Sequence, residues 1–216
     1  HITYTGGTIG MVDSPRGLVP GADLESWLAD LLDGTDLGGQ VTLTGLDPLI
    51  DSSNAAPGSW QQIIEDLRTH HADRPAQGYV VLHGTDTMAY TSAALSYALA
   101  DFDRPVVITG SQLPLGVVGS DAAPNVTGAL RAATSRRAVG VSLFFGHHLL
   151  AGNRATKTSS WAFQGFTSPN AVPLAVTGAP WQWTRPSEAG TGWPHPKPYE
   201  RHDVVVIDLA PGITAA

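Results

Sequence analysis

The sequence predicts an α/β fold, a mostly parallel sheet flanked by helices. Short β-rich runs alternate along the chain with stretches whose apolar residues recur at helical spacing. The run at residues 79–83 is apolar without alternation, as a strand covered on both faces must be. The 216 residues are 42% hydrophobic and 14% charged, enough for one sizeable domain and the start of a second.

Residues 1–5 read as a strand that runs into Gly6-Gly7. After a loop rich in Gly and Pro, residues 24–32 have helical periodicity, with Asp23 as N-cap. Residues 40–44 alternate like a strand. Residues 60–70 are helical, with Ser59 ahead of them as a cap. The strand at 79–83 leads into an Ala- and Leu-rich helix at 87–99, then a strand at 105–109. A helix at 125–134 and a strand at 139–145 follow. Strands that alternate with helices indicate βαβ units with right-handed crossovers, hence a parallel sheet.

Residues 178–203 break this pattern. They hold Pro180, Pro186, Pro194, Pro196 and Pro198 together with Trp181, Trp183 and Trp193. An extended connection whose Trp rings pack on the domains it joins accounts for this composition better than a proline-rich recognition ligand does. One more strand is expected at 204–209. The expected organisation is therefore an amino-terminal α/β domain at 1–177, a linker at 178–203 and the opening strand of another domain at 204–216.

Composition removes several function classes. The net charge of −7 disfavours nucleic-acid and acidic-membrane partners, which reward clustered Lys and Arg. With 0 Cys there is no disulfide framework, thiol nucleophile or Cys-ligated zinc, which suits a reducing cytoplasm. No apolar run approaches the roughly 18 residues of a membrane span. Neither a Walker-type loop nor Gly-x-Gly-x-x-Gly occurs, so no nucleotide cofactor is expected. His70-His71 and His147-His148 are adjacent pairs that point different ways, with no ligand at matching spacing, so no metal is expected.

In an open parallel sheet, ligands bind beyond the carboxyl ends of the strands. The residues at those ends are polar. The first strand ends in Thr5-Gly6-Gly7-Thr8, and the run at 79–82 ends in His83-Gly84-Thr85-Asp86-Thr87. The run at 105–108 ends in Thr109-Gly110-Ser111-Gln112, and the loop after 139–145 carries Asn153-Arg154-Ala155-Thr156-Lys157-Thr158. Taken singly, each has a plain structural reading. Thr-Gly-Gly-Thr makes turns, Thr85 and Thr87 can cap the next helix, and Lys157 can be a solvated charge. Together they supply the parts of acyl transfer: a hydroxyl nucleophile, a base, and backbone N–H groups for an oxyanion. His83 reads as a strand-end residue that orders the Gly84 turn through hydrogen bonds.

Tyr4-Thr5-Gly6-Gly7-Thr8-Ile9-Gly10 and His83-Gly84-Thr85-Asp86-Thr87-Met88 resemble the two signature motifs of the bacterial L-asparaginase family. Asp51-Ser52-Ser53, Thr109-Gly110-Ser111-Gln112 and Gly152-Asn153-Arg154-Ala155-Thr156-Lys157 fall in the family's order, and the running text is closest to the cytoplasmic type I branch. The resemblance covers nearly the whole chain. It implies an asparaginase-like amino-terminal domain that hydrolyses L-asparagine to L-aspartate and ammonia through an acyl-enzyme. By the same resemblance Thr8 is the nucleophile, while Thr85, Asp86 and Lys157 relay the proton and activate water. Asp51, Ser52 and Ser53, with Thr85 and Asp86, would hold the substrate. A cytoplasmic homodimer or homotetramer without cofactor is implied, with residues 204–214 opening a carboxyl-terminal domain that continues beyond Ala216.

The sequence departs from the family pattern in one place that bears on chemistry. Leu18 stands where the family's mobile loop carries a tyrosine that covers the substrate, so apolar cover remains and a hydroxyl is lost. That departure motivates the alternative expectation, a non-catalytic asparagine or aspartate sensor on the same pocket.

Overall fold

The doubly covered runs form the middle of one eight-stranded sheet in a computed structural model, which describes residues 1–15, 17–184, 205–207 and 211. Strands β1 (Ile2–Tyr4), β4 (Leu43–Gly45), β5 (Tyr79–Leu82), β6 (Val106–Thr109) and β7 (Val141–Phe145) are parallel. The hairpin partner β8 (His148–Ala151) and the edge strands β11 (Ala175–Val176) and β12 (Gln182–Trp183) run antiparallel. The order across the sheet is β12-β11-β8-β7-β6-β5-β1-β4.

Every residue of β5, β6 and β7 is buried, because helices cover both faces. On one face α1 (Leu24–Leu32) and α4 (Ala122–Thr134) pack on Ile2, Val80, Leu82, Val107 and Phe144. On the other, α2 (Pro57–Asp73) and α3 (Met88–Ala98) pack on Tyr79, Val81, Val106, Ile108 and Leu143. Fully buried side chains such as Ile63 and Leu67 on α2 each contribute about 1.5–3 kcal/mol to the fold.

The helix starts show which capping expectations hold. Asp23 caps α1 by accepting from Ser26 N at 3.0 Å. At α2 the N-cap is Ala56 rather than Ser59. Pro57 begins the helix, and Ser59 acts from inside the first turn by accepting the Ala56 N–H at 3.2 Å. Thr87 precedes α3 but makes no capping bond there; its hydroxyl donates instead to Ser52 O at 2.7 Å.

Several regions differ from the sequence expectation. Strands β2 (Met11–Ser14) and β3 (Gly17–Pro20) pair as an antiparallel hairpin in place of an unstructured loop. Residues 178–184, expected to open the linker, join the sheet through β12. There Trp181 stacks 5.7 Å from Phe144 and 5.9 Å from Trp183, and the Arg137 guanidinium lies 4.9 Å over the Trp183 ring. The rest of the expected linker, with Trp193, lies outside the described residues. So does half of the strand expected at 204–209; residues 205–207 are exposed and belong to no strand.

Candidate active site

Five chain segments meet beyond the carboxyl ends of β1, β5 and β6. They enclose a cavity of about 260 Å³ lined by Gly7, Thr8, Met11, Asp51, Ser52, Gly84, Thr85, Asp86, Gln112, Lys157 and Ser160. Among the described residues this is where the two threonine motifs face each other.

Thr8 opens a 3-10 turn, Thr8–Gly10, directly after β1. The turn requires Gly7, whose φ of 98° lies in the left-handed region. A side chain at Gly7 would also meet Gly84 N at 2.5 Å, so the two motifs touch through backbone. The Thr8 hydroxyl has no hydrogen-bond partner among the described residues, which leaves it available to a ligand.

Lys157 comes to the site by an unexpected path. Because β8 runs antiparallel, the chain after Ala151 starts from the opposite end of the sheet. It returns along α3, held where Ser92 Oγ donates to Gly152 O at 2.8 Å. It ends in the short ladder of β9 (Thr156–Lys157) with β10 (Phe166–Thr167). From there Lys157 Nζ donates to Thr85 Oγ1 at 2.9 Å and to Asp86 Oδ1 at 3.0 Å. The Lys157 side chain is 19% exposed and that of Asp86 63%, so the pair has a protected cation and a carboxylate open to solvent.

Asp51 is held from its own turn. Its Oδ1 accepts from Ser53 N at 3.0 Å and Ser53 Oγ at 2.9 Å, and its Oδ2 accepts from Asn54 Nδ2 at 2.9 Å. The Ser53 hydroxyl and N–H, with the Asn54 amide, hold this carboxyl below its usual range. An ionised carboxylate has about four acceptor sites, so one remains for a cationic group. Of the residues expected to bind substrate, Thr85, Asp86, Asp51 and Ser52 line the cavity. Ser53 does not, since both of its donors are spent on Asp51.

The asparaginase amino-terminal family model matches residues 1–188. The chain belongs to the asparaginase family. It is 39% identical over 219 aligned residues to L-asparaginase 1 of Escherichia coli K12, covering 100% of this chain and 64% of that protein. The structure of L-asparaginase I from Vibrio cholerae superposes with a TM-score of 0.83 at 35% identity, covering 99% of this chain and 65% of that one. The thermostable L-asparaginase from Thermococcus kodakarensis gives a TM-score of 0.73 at 28% identity, covering 89% and 58%. The chain thus spans just under two thirds of the length of these relatives.

Three lining residues were given no role by the sequence: Met11, Gln112 and Ser160. Gln112 ends the polar run after β6, which was the available signal. Its side chain reaches across to the 159–162 loop, where Nε2 donates to Ala162 O at 3.0 Å. Its backbone N–H is held 3.0 Å from both oxygens of Asp121, a buried carboxylate at the start of α4. Leu18, on β3, does not line this cavity. It is 45% exposed and borders a separate hollow between the hairpin and residues 114–117.

His70-His71 and His147-His148 are engaged elsewhere. His70 stacks on His1 at 3.4 Å and His71 Nδ1 lies 2.9 Å from the Tyr79 hydroxyl. His147 Nδ1 lies 3.0 Å from Thr177 Oγ1, and His148 Nδ1 lies 2.7 Å from Gln164 Nε2.

Proposed function

We propose that this chain carries the reacting groups of an amidohydrolase that converts L-asparagine to L-aspartate and ammonia. The observation that supports this most is the Lys157–Thr85–Asp86 cluster on the same small polar cavity as a Thr8 hydroxyl with no partner among the described residues.

In this reading Thr8 Oγ1 attacks the side-chain amide carbon and gives up its proton toward Thr85 and Lys157. Backbone N–H groups of the two glycine-bearing turns receive the oxyanion. The C–N bond then breaks, the nitrogen takes the proton and leaves as ammonia, and an aspartyl ester stays on Thr8. Water, deprotonated by the same cluster, attacks the ester. Aspartate departs and the Thr8 hydroxyl is restored. Lys157 accepts a proton only as the neutral amine, so the step starts from that form and the ammonium that bridges Thr85 and Asp86 is produced as the proton arrives.

Substrate binding follows from charge. Asp86 spends Oδ1 on Lys157, so Oδ2 is available to the substrate's α-ammonium. Asp51 offers the same cation a second carboxylate, and Ser52 faces the α-carboxylate. The family resemblance extends this reading to a cytoplasmic homodimer or homotetramer. Among the described residues no helix is long and apolar enough to cross a membrane.

Leu18 favours a second reading, an asparagine or aspartate sensor, because the hairpin that borders the site supplies no hydroxyl at that position. Ammonia release on addition of asparagine decides between them. Turnover supports the hydrolase; calorimetric binding of asparagine without ammonia supports the sensor.

A further inference from the structure

The catalytic cavity has a larger, apolar neighbour. A hollow of about 470 Å³ lies between the β2–β3 hairpin and residues 114–117, walled by Met11, Val12, Leu18, Pro114, Leu115 and Val117. Met11 also lines the catalytic cavity of about 260 Å³, and among the described residues it alone belongs to both. Both walls of the hollow are tied to the turn that carries the nucleophile. The Leu115 N–H donates to Ile9 O at 3.2 Å, while the N–H groups of Gly21 and Ala22 each donate to Gly10 O at 3.1 Å. The hollow is thus held in a fixed place beside Thr8.

The reaction outlined above leaves one side of the catalytic cavity without a task. Asp51, Ser52 and Asp86 take the amino-acid end of the substrate, and Thr8, Thr85 and Lys157 act on its amide. Met11, Gln112 and Ser160 remain. The Gln112 Nε2 is already engaged by Ala162 O at 3.0 Å, and two residues further on the chain enters the wall of the hollow at Pro114. A group attached to the amide nitrogen would leave the polar cavity on this side, past Met11. An unbranched thioether repacks readily around such a group.

The hollow suits a hydrocarbon. A cavity of about 150 Å³ already holds a benzene ring. Leu18 adds apolar wall here, at the position where the family pattern has a tyrosine. Of the two carboxylates at the hollow, Asp23 is spent on Ser26 N and Oγ, and Asp13 is exposed, where it repels an anionic group.

We propose that the hollow is a leaving-group subsite, and that the protein hydrolyses secondary amides of aspartate whose nitrogen carries an uncharged alkyl or benzyl group. Thr8 Oγ1 bonds to the amide carbon, the C–N bond breaks, and the nitrogen takes the proton that Thr8 gave up. A primary amine departs in place of ammonia, and water cleaves the same aspartyl ester. The subsite rests on the hydrolase reading above for its reaction, but its affinity for hydrocarbon is independent of it.

The test uses the complete protein and L-asparagines that carry methyl, propyl, butyl or benzyl on the amide nitrogen, with aspartate release as the readout. From methyl to butyl, KM should fall roughly threefold to fourfold for each added methylene, which is what burying one CH₂ is worth. Val12→Asp and Val117→Asp, both outside the catalytic cavity, should flatten this series and leave asparagine hydrolysis unchanged. A KM that rises with chain length, or a falling series that both variants retain, overturns the subsite. So does hydrolysis of asparagine with none of the substituted amides. If asparagine itself is not hydrolysed, the assigned reaction fails and calorimetry decides the subsite alone. Affinity that rises with chain length then upholds it, and flat affinity overturns it.

Discussion

The Nζ of Lys157 lies 2.9 Å from the Oγ1 of Thr85, across 72 positions of sequence. The contact depends on an antiparallel detour through β8 and a return along α3, so it tests the fold and the chemistry together. If Lys157 is the base, substitution by Met should lower kcat about 10²–10⁴-fold. Lys157→Arg should do no better, because a guanidinium keeps the charge and the donors but cannot deprotonate. Steady-state ammonia release measures both. An Arg variant near wild-type rate would reduce Lys157 to a positioning charge.

Asp51 sets a pH expectation. Hydrogen bonds from Ser53 and Asn54 favour its ionised form, so its folded pKa lies below the unfolded value. Its contribution is therefore complete above the ordinary carboxylate range and is lost as pH falls through the lowered folded pKa. KM for asparagine should stay flat on acidification through the ordinary carboxylate range and climb only below it. Asp51→Asn should raise KM more than it lowers kcat. A KM that already rises between pH 7 and 5 would place the binding carboxylate elsewhere.

Asp121 carries structure that the motifs do not announce. Its carboxylate accepts the N–H of Gln112 and Leu113 and the Asn125 side-chain amide. Asp121→Ala strands these partly buried donors, each worth about 1–3 kcal/mol when unsatisfied. Urea unfolding should show a loss on the order of 3 kcal/mol. The turn that presents Gln112 to the cavity should loosen as well, visible as faster amide hydrogen exchange at 112–113.

Gly7 should tolerate nothing larger. At a φ of 98°, an added Cβ would stand 2.5 Å from Gly84 N and 2.6 Å from Gly84 Cα, backbone atoms that cannot rotate away. Gly7→Ala should cost about 1–3 kcal/mol in chemical denaturation and depress kcat disproportionately, because it parts the two threonine motifs.

The centre of the fold was legible because burial on both faces leaves an unbroken apolar run. Tyr79–Leu82 carries that signature in full, Val106–Thr109 and Val141–Phe145 carry it but for Thr109 and Ser142, and α1 matches its expected range, Leu24–Leu32. The edges were not legible. β2 and β3 are largely exposed, two-residue strands such as β11 and β12 are too short to show a period, and Trp181 lay in a stretch that reads as linker. At the site, the hydroxyls and Asp86 could be found because they directly follow strands. Lys157 was found by motif rather than by position, since β8 separates it from the strand it was expected to follow. Ser53 and Gln112 differ for one reason: which polar side chain reaches a cavity depends on local turns that no spacing rule encodes.

The central claim, a covalent bond at Thr8, can be tested by rapid acid quench of the protein with asparagine, followed by peptide mass mapping. The account predicts one β-aspartyl ester on the peptide that contains Thr8, and none in Thr8→Ala, whose ammonia release should also fall to background. Undiminished hydrolysis in Thr8→Ala, or an ester on Thr85 instead, would contradict it.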